Sequence, residues 1–154
     1  MNKLSVRIMQ LEPMIVASAS GYGESPEPIA WEKILKWAGD RGLVGEGKKK
    51  RFFGFNNPDP SPGTPNYGYE QWIEIPDGLT GNEDIAVKDF SGGLYAVAHC
   101  ESLEVISRRW QQLVAWREDN GYHRAHHQWL ENLLSPPDAP FEKLEFDLYL
   151  PIAE

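Results

Sequence analysis

The chain has 154 residues, of which 41% are hydrophobic and 25% charged, with a net charge of −8 and a pI near 5.0. That balance belongs to one globular domain long enough to bury a core, and it argues against a nucleic-acid partner, whose phosphates need a basic face. No run approaches 18 apolar residues, which excludes a helical membrane span.

The opening residues 1–13 lack a continuous apolar segment and go straight into strand-like alternation, so no signal peptide is expected. A lone cysteine, Cys100, cannot form an internal disulfide and fits a reducing cytoplasm. Two short strands are predicted at 6–11 and 14–20, interrupted at Glu12-Pro13, where proline removes a ladder donor. A Gly/Pro loop follows, then a first helix over 29–41. Trp31, Ile34, Leu35 and Ala38 keep i, i+3, i+4, i+7 spacing there, and Gly42 is the expected left-handed terminator. The basic run Lys48, Lys49, Lys50, Arg51 has no aromatic interleaving and reads as a solvated loop.

Strands are predicted at 51–56 and 67–75, separated by a proline-rich turn region. Residues 79–84 link to strands at 85–89 and 94–100 around a Ser91-Gly92-Gly93 turn. A second helix covers 103–120, and two last strands cover 127–134 and 144–151, with a proline-rich loop between them.

This order is one unit written twice. Trp31, Ile34, Leu35, Trp37, Asp40 and Gly42 stand 79 positions before Trp110, Leu113, Val114, Trp116, Asp119 and Gly121. The same offset carries Val6, Ile8 and Leu11 onto Ile85, Val87 and Phe90, and small indels carry the later strands, 51–58 onto 127–134 and 73–76 onto 148–151, which matches Glu70 with Glu145. Pseudo-repeats 1–78 and 79–154 within a single domain are expected, since two long copies do not make a solenoid. The fold class is α+β: duplicated strand-helix-strand-strand modules in an antiparallel sheet, both helices covering one face.

Strand parity then nominates a second face. Ile73 and Ile75 alternate with Glu70, Trp72 and Glu74, and Phe146, Leu148 and Leu150 alternate with Glu145, Asp147 and Tyr149. Trp129 and Glu131 share a face of their strand. If the aliphatic sets meet the helices, the opposite face gathers Trp72, Trp129 and Tyr149 with Glu70, Glu74, Glu131, Glu145 and Asp147. Aromatic walls with carboxylates suit a cation, each ring contributing about 0.5–2 kcal/mol. The same alternation also describes an ordinary solvent face.

Other chemistry is weaker. His123, His126 and His127 lack Cys or Asp at ligand spacing, so no metal site is expected. Cys100 lies among Ala96 and Ala98 with no fixed cation nearby, so a packed thiol is expected rather than a nucleophile. The glycine pairs are turn glycines, not a phosphate cradle, and no cofactor is expected.

The runs 56–72 (Asn56 to Trp72), Gly92 to Val97, Trp110 to Tyr122, His127 to Glu131 and Asp147 to Ile152 resemble the GyrI-like (gyrase-inhibitory-protein-like) domains, also called bacterial transcription-activator effector-binding domains. The resemblance covers nearly the whole chain. It implies two packed modules with a ligand cleft on the sheet side, taking lipophilic cations between aromatic rings and a buried Glu, as in multidrug-binding relatives. By match to family positions, Glu131 would be that Glu and Tyr149 the final-strand aromatic. Trp72, Trp129, Tyr69, Glu70 and Tyr95 complete the implied ligand-binding set. With the first strand predicted almost at residue 1, no helix-turn-helix is expected ahead of it. An alternative within the family is hydrolysis of cyclopropane-bearing electrophiles by Glu131 with Tyr149 or Tyr69, and another is a gyrase-modulating interaction.

Overall fold

A computed structural model describes residues 4–45, 50–57, 59, 61–135 and 139–154. Lys48 and Lys49 of the basic run lie outside the described residues, as do Pro58, Pro60 and 136–138 of the two proline-rich loops. The elements in chain order are β1 (Val6–Leu11), β2 (Met14–Gly23), α1 (Pro26–Asp40), β3 (Phe52–Asn56), β4 (Tyr67–Ile75), β5 (Ala86–Phe90), β6 (Gly93–Cys100), α2 (Ile106–Asp119), β7 (His123–Arg124), β8 (Leu130–Leu133) and β9 (Phe146–Ala153). The fold is α+β, with antiparallel strand pairing inside each of two compact units, residues 14–90 and residues 1–13 with 91–154.

In the unit formed by 14–90 the strand order is β3-β4-β2-β5. Helix α1 starts earlier than its apolar stripe indicates, because Pro26 brings a helical φ to the first turn and Glu27 complements the positive end of the helix dipole. It ends at Gly42, whose φ of 69° reverses the chain while the Leu43 amide donates to the Ala38 carbonyl at 2.9 Å. Its inner side, Ile34, Trp37 and Ala38, packs on Ala17, Ala19, Phe52, Ile73 and Ile75. Small residues on β2 let the helix approach closely. At Gly21 a Cβ would stand 2.3 Å from the Pro26 carbonyl oxygen. The deepest helical tryptophan is therefore Trp37, while Trp31, the first residue of the apolar stripe, is partly buried with its ring on Phe52 at 5.1 Å.

In the unit formed by 1–13 and 91–154 the order is β1-β6-β9-β8, and β7 pairs with the end of β9. Helix α2 is preceded by a 3-10 turn, Leu103–Val105, where helix was expected from 103. It stops at Gly121 (φ 77°), with the Tyr122 amide donating to the Arg117 carbonyl at 3.2 Å, the same C-terminal device 79 residues on. Leu113 meets Ala96, Ala98, Cys100, Leu148 and Leu150. Where α1 has Ala30 and Ala38 against its sheet, α2 has the buried Arg109 and Arg117; Arg109 forks onto Glu101 at 2.6 and 2.8 Å. The strand expected over 127–134 is confined to Leu130–Leu133. His127 is drawn away by a 2.8 Å contact of its Nε2 with the Leu94 carbonyl, and the Gln128 carbonyl accepts from the Tyr95 phenol.

The opening strand of each repeat pairs with the second strand of the other. β1 lies on β6 with Ile8 opposite Ala96, and β5 lies on β2 with Val87 opposite Ala17. Both residues of one pair are 79 positions from their counterparts in the other, so the two pairings have one register.

Candidate functional site

The sheet face away from α1 in the 14–90 unit carries Phe53 and Phe55 of β3, Glu70 and Trp72 of β4, Ser18 of β2, and Lys88 and Phe90 of β5. Register places Ser18 and Phe53 opposite Trp72, and Phe55 opposite Glu70, so these side chains share one side. The Trp72 ring packs edge-on against Phe55 at 5.0 Å and tilted against Phe90 at 5.2 Å. Glu70 is only 4% exposed amid these rings.

Among the described residues, four donors reach Glu70. Ser18 Oγ (2.8 Å), Trp72 Nε1 (2.7 Å) and Lys88 Nζ (2.7 Å) donate to Oε2, and Asn57 Nδ2 donates to Oε1 at 3.1 Å. Burial taken alone would push this carboxyl up. The hydrogen bonds from Lys88, Trp72, Ser18 and Asn57 together outweigh burial and hold it below its ordinary value. The result is an ionised carboxylate, largely dry and flanked by aromatic rings. Sequence parity placed Glu70 and Trp72 on this face, but it did not rank Glu70 above the other acids, because nothing local to residues 69–75 announces Ser18 or Lys88.

The corresponding face of the other unit carries Tyr95, Asp147 and Tyr149. Tyr95 is fully buried, its ring edge-on to Tyr149 (5.4 Å) and to His127 (4.8 Å). Its phenol donates to the Gln128 carbonyl at 2.5 Å, and burial pushes its pKa well above the ordinary tyrosine value. Asp147, 6% exposed, is bridged by Arg7 and lies 3.4 Å from His99 Nδ1. Ala17 faces Ile73 in one unit, and its counterpart Ala96 faces Leu150 in the other, so β4 maps onto β9 with an offset of 77. Trp72 then corresponds to Tyr149, and Glu70 to Asp147 rather than to Glu145. Glu145 is exposed, 3.5 Å from His99 Nε2, and Glu74 is forked by Arg51 at 3.1 and 2.6 Å.

The gathering of Trp129 and Glu131 with Tyr149 does not occur. Trp129, just ahead of β8, and Glu131 do lie on one side, but it is the α2 side: the Trp129 ring lies 5.3 Å from Trp110, and Trp110 Nε1 donates to Glu131 Oε2 at 3.4 Å. Glu131 sits opposite Leu148 in the α2-facing core, and the fully buried Leu130 sits opposite Tyr149. The physical reason is that Trp129 repeats the part of Phe52, which packs on Trp31 just as Trp129 packs on Trp110. Tyr69 likewise belongs to the α1 side, its hydroxyl occupying the space a Cβ at Gly54 would need. Glu131 and Tyr149 therefore lie on opposite faces of one sheet and cannot act on one bond as base and acid.

Cys100 is fully buried and its thiol donates to the Ser102 carbonyl at 3.1 Å; burial pushes its pKa up. His123 and His126 are exposed, and among the described residues no three His, Cys, Asp or Glu side chains converge at metal-binding distance. Nor, among those residues, is any helix long and apolar enough to cross a membrane.

This pair of sheet-and-helix units has known counterparts. The Cass2 family, described as integron-associated effector binding protein, matches residues 7–152. The chain belongs to that family. Its members are effector-binding proteins, which makes this a small-molecule-binding chain. Among solved structures, the EcmrR C-terminal domain superposes with a TM-score of 0.70 at 12% identity, over 98% of each chain. The EcmrR chain in a cryo-EM structure of an EcmrR–DNA complex gives 0.72 at 12% identity, over 98% of this chain and 58% of that one, so this chain spans a little over half of EcmrR. SAV2435 bound to tetraphenylphosphonium gives 0.56 at 12% identity, over 96% and 93% of the two chains. A hydrolase from Listeria innocua gives 0.68 at 13%, over 96% and 91%. Identities this low speak for the fold alone. Among curated proteins none matches the sequence.

Proposed function

We propose that the effector is a lipophilic aromatic cation, received on the face of the 14–90 sheet around Glu70. The observation that carries this is the Glu70 carboxylate itself, nearly dry, held ionised and walled by Trp72, Phe55 and Phe90. A desolvated charge attracts a counter-charge far more strongly than an exposed one, and the rings add attraction for a cation that small hydrated ions cannot exploit. The binding of tetraphenylphosphonium to SAV2435, which shares the fold, is in keeping with such a ligand. Tyr149, on the corresponding face of the other unit, is proposed as a second aromatic wall, backed by the buried Tyr95 and with Asp147 as its acid.

Calorimetric titration with tetraphenylphosphonium tests the reading. Glu70→Gln keeps the shape and removes the charge, so affinity is expected to fall by about 1–3 kcal/mol, roughly 5- to 150-fold. A neutral tetraphenyl analogue is expected to be indifferent to the change. Because the Glu70 pKa is depressed, the wild-type affinity is expected to hold through neutral pH and to fall only below the ordinary carboxylate range, as the group takes up its proton. The same titration on Glu131→Gln separates the two carboxylates. A loss there, with Glu70→Gln silent, would move the site to the α2 side of the other unit.

A further inference from the structure

We infer that Lys88 is the resident occupant of the Glu70 site and sets its specificity: an effector cation binds by taking the place of the Lys88 ammonium. This rests on the reading of Glu70 as the effector's counter-charge. Two of the donors on Glu70 Oε2 are fixed parts of the wall, since Ser18 and Trp72 are both buried in central strands. Lys88 differs in kind. It comes from β5, the last strand in the order, whose residues 86–89 are all exposed, and its side chain is 43% exposed. A long flexible stem rooted in such a strand can leave the carboxylate for water without disturbing the sheet, so the ammonium is the exchangeable member of the set.

The device recurs independently. In the other unit Asp147, the register counterpart of Glu70, is bridged by Arg7 from β1, the counterpart of β5. Arg7 is again the half-exposed partner, its side chain 52% exposed, of a buried acid. An acid buried on the inner strands and a base lent by the traded strand thus occur in both halves, although the residue types and the exact rows differ. Such a plug discriminates. Ammonium, potassium and small hydrophilic amines offer Glu70 nothing that Lys88 does not already supply from within the chain. Only a cation that also brings apolar surface to Trp72, Phe55 and Phe90 gains enough to displace it.

The test uses the full chain and tetraphenylphosphonium. Removing the competitor with Lys88→Met, which retains an apolar stem, is expected to tighten binding about tenfold. It is also expected to admit small alkylammonium ions that wild type rejects. In the wild-type protein, saturating tetraphenylphosphonium is expected to raise acetic anhydride labelling of the Lys88 amine, followed by mass spectrometry, because the displaced amine faces water. If Lys88→Met binds no better than wild type and Lys88 labelling stays constant or falls on binding, while Glu70→Gln still weakens binding, this inference is overturned and the Glu70 reading stands. If tetraphenylphosphonium binding is the same in wild type, Lys88→Met and Glu70→Gln, or is absent from all three, both fall together.

Discussion

Gly92→Ala is expected to cost the folded chain about 3 kcal/mol, read as a shift of the urea midpoint. Two separate terms add at this position. Gly92 has a φ of 77°, in the left-handed region, where a Cβ costs on the order of 1–2 kcal/mol. A Cβ there would also stand 2.1 Å from the Leu11 carbonyl oxygen, and that is backbone at the end of β1, which cannot rotate aside. Relieving such a clash takes a backbone shift, typically about 1–3 kcal/mol. Gly63→Ala is the internal control. Its φ of 84° carries the same conformational strain, but among the described residues nothing lies within 4 Å of its added Cβ, so about 1 kcal/mol is expected. Equal losses at the two positions would mean that the approach of Leu11 to the β5–β6 turn is not constraining.

The repeat made most of the architecture legible. Matching tryptophans and glycines 79 apart gave the two helices and their glycine ends, because apolar periodicity and a left-handed terminator are local requirements written in adjacent residues. Strand parity was equally readable where an aliphatic set is unambiguous, as with Ile73 and Ile75 or Leu148 and Leu150, all of which meet a helix. Parity failed on β8. Alternation expects Trp129 and Glu131 on the face away from the helices, yet Trp129 and Leu133 hold the helix side and Leu130 fills the other. A shift of one residue in matching β3 to β8 is enough to exchange the faces of a strand, and the loops before them, of unequal length, conceal the register. The pairing of Glu70 with Glu145 failed for a related reason: the offset that sheet pairing imposes on β4 and β9 is 77, which selects Asp147. Lys88 was beyond sequence reasoning, since its partner depends on β5 crossing to β2, a choice of neighbour made by topology rather than by any local pattern.

That crossing gives the second large prediction, which concerns where the chain can be cut. The repeat boundary suggests fragments 1–78 and 79–154, and we propose that both will be unfolded or insoluble, whereas 14–90 will be the better-folded fragment. Cutting after residue 78 removes Ile85, which is 3% exposed in the core beneath α1, and Phe90, which covers the Trp72 ring at 5.2 Å. It also removes Lys88, leaving Glu70 without its cation, and strips β2 of its neighbour β5 so that an apolar strand edge is bared. In exchange, 1–78 keeps β1, whose partner β6 is no longer present. The fragment 79–154 has the converse fault, losing β1 from β6 and Arg7 from Asp147. Residues 14–90 keep α1, four paired strands and the whole apolar cluster around Ile34 in one continuous segment. Circular dichroism against urea decides the matter. A cooperative transition is expected for 14–90 and a featureless slope for 1–78. A cooperative 1–78 with a featureless 14–90 would mean that β5 is dispensable to the sheet it completes and that the repeat boundary, not the strand exchange, marks the folding unit.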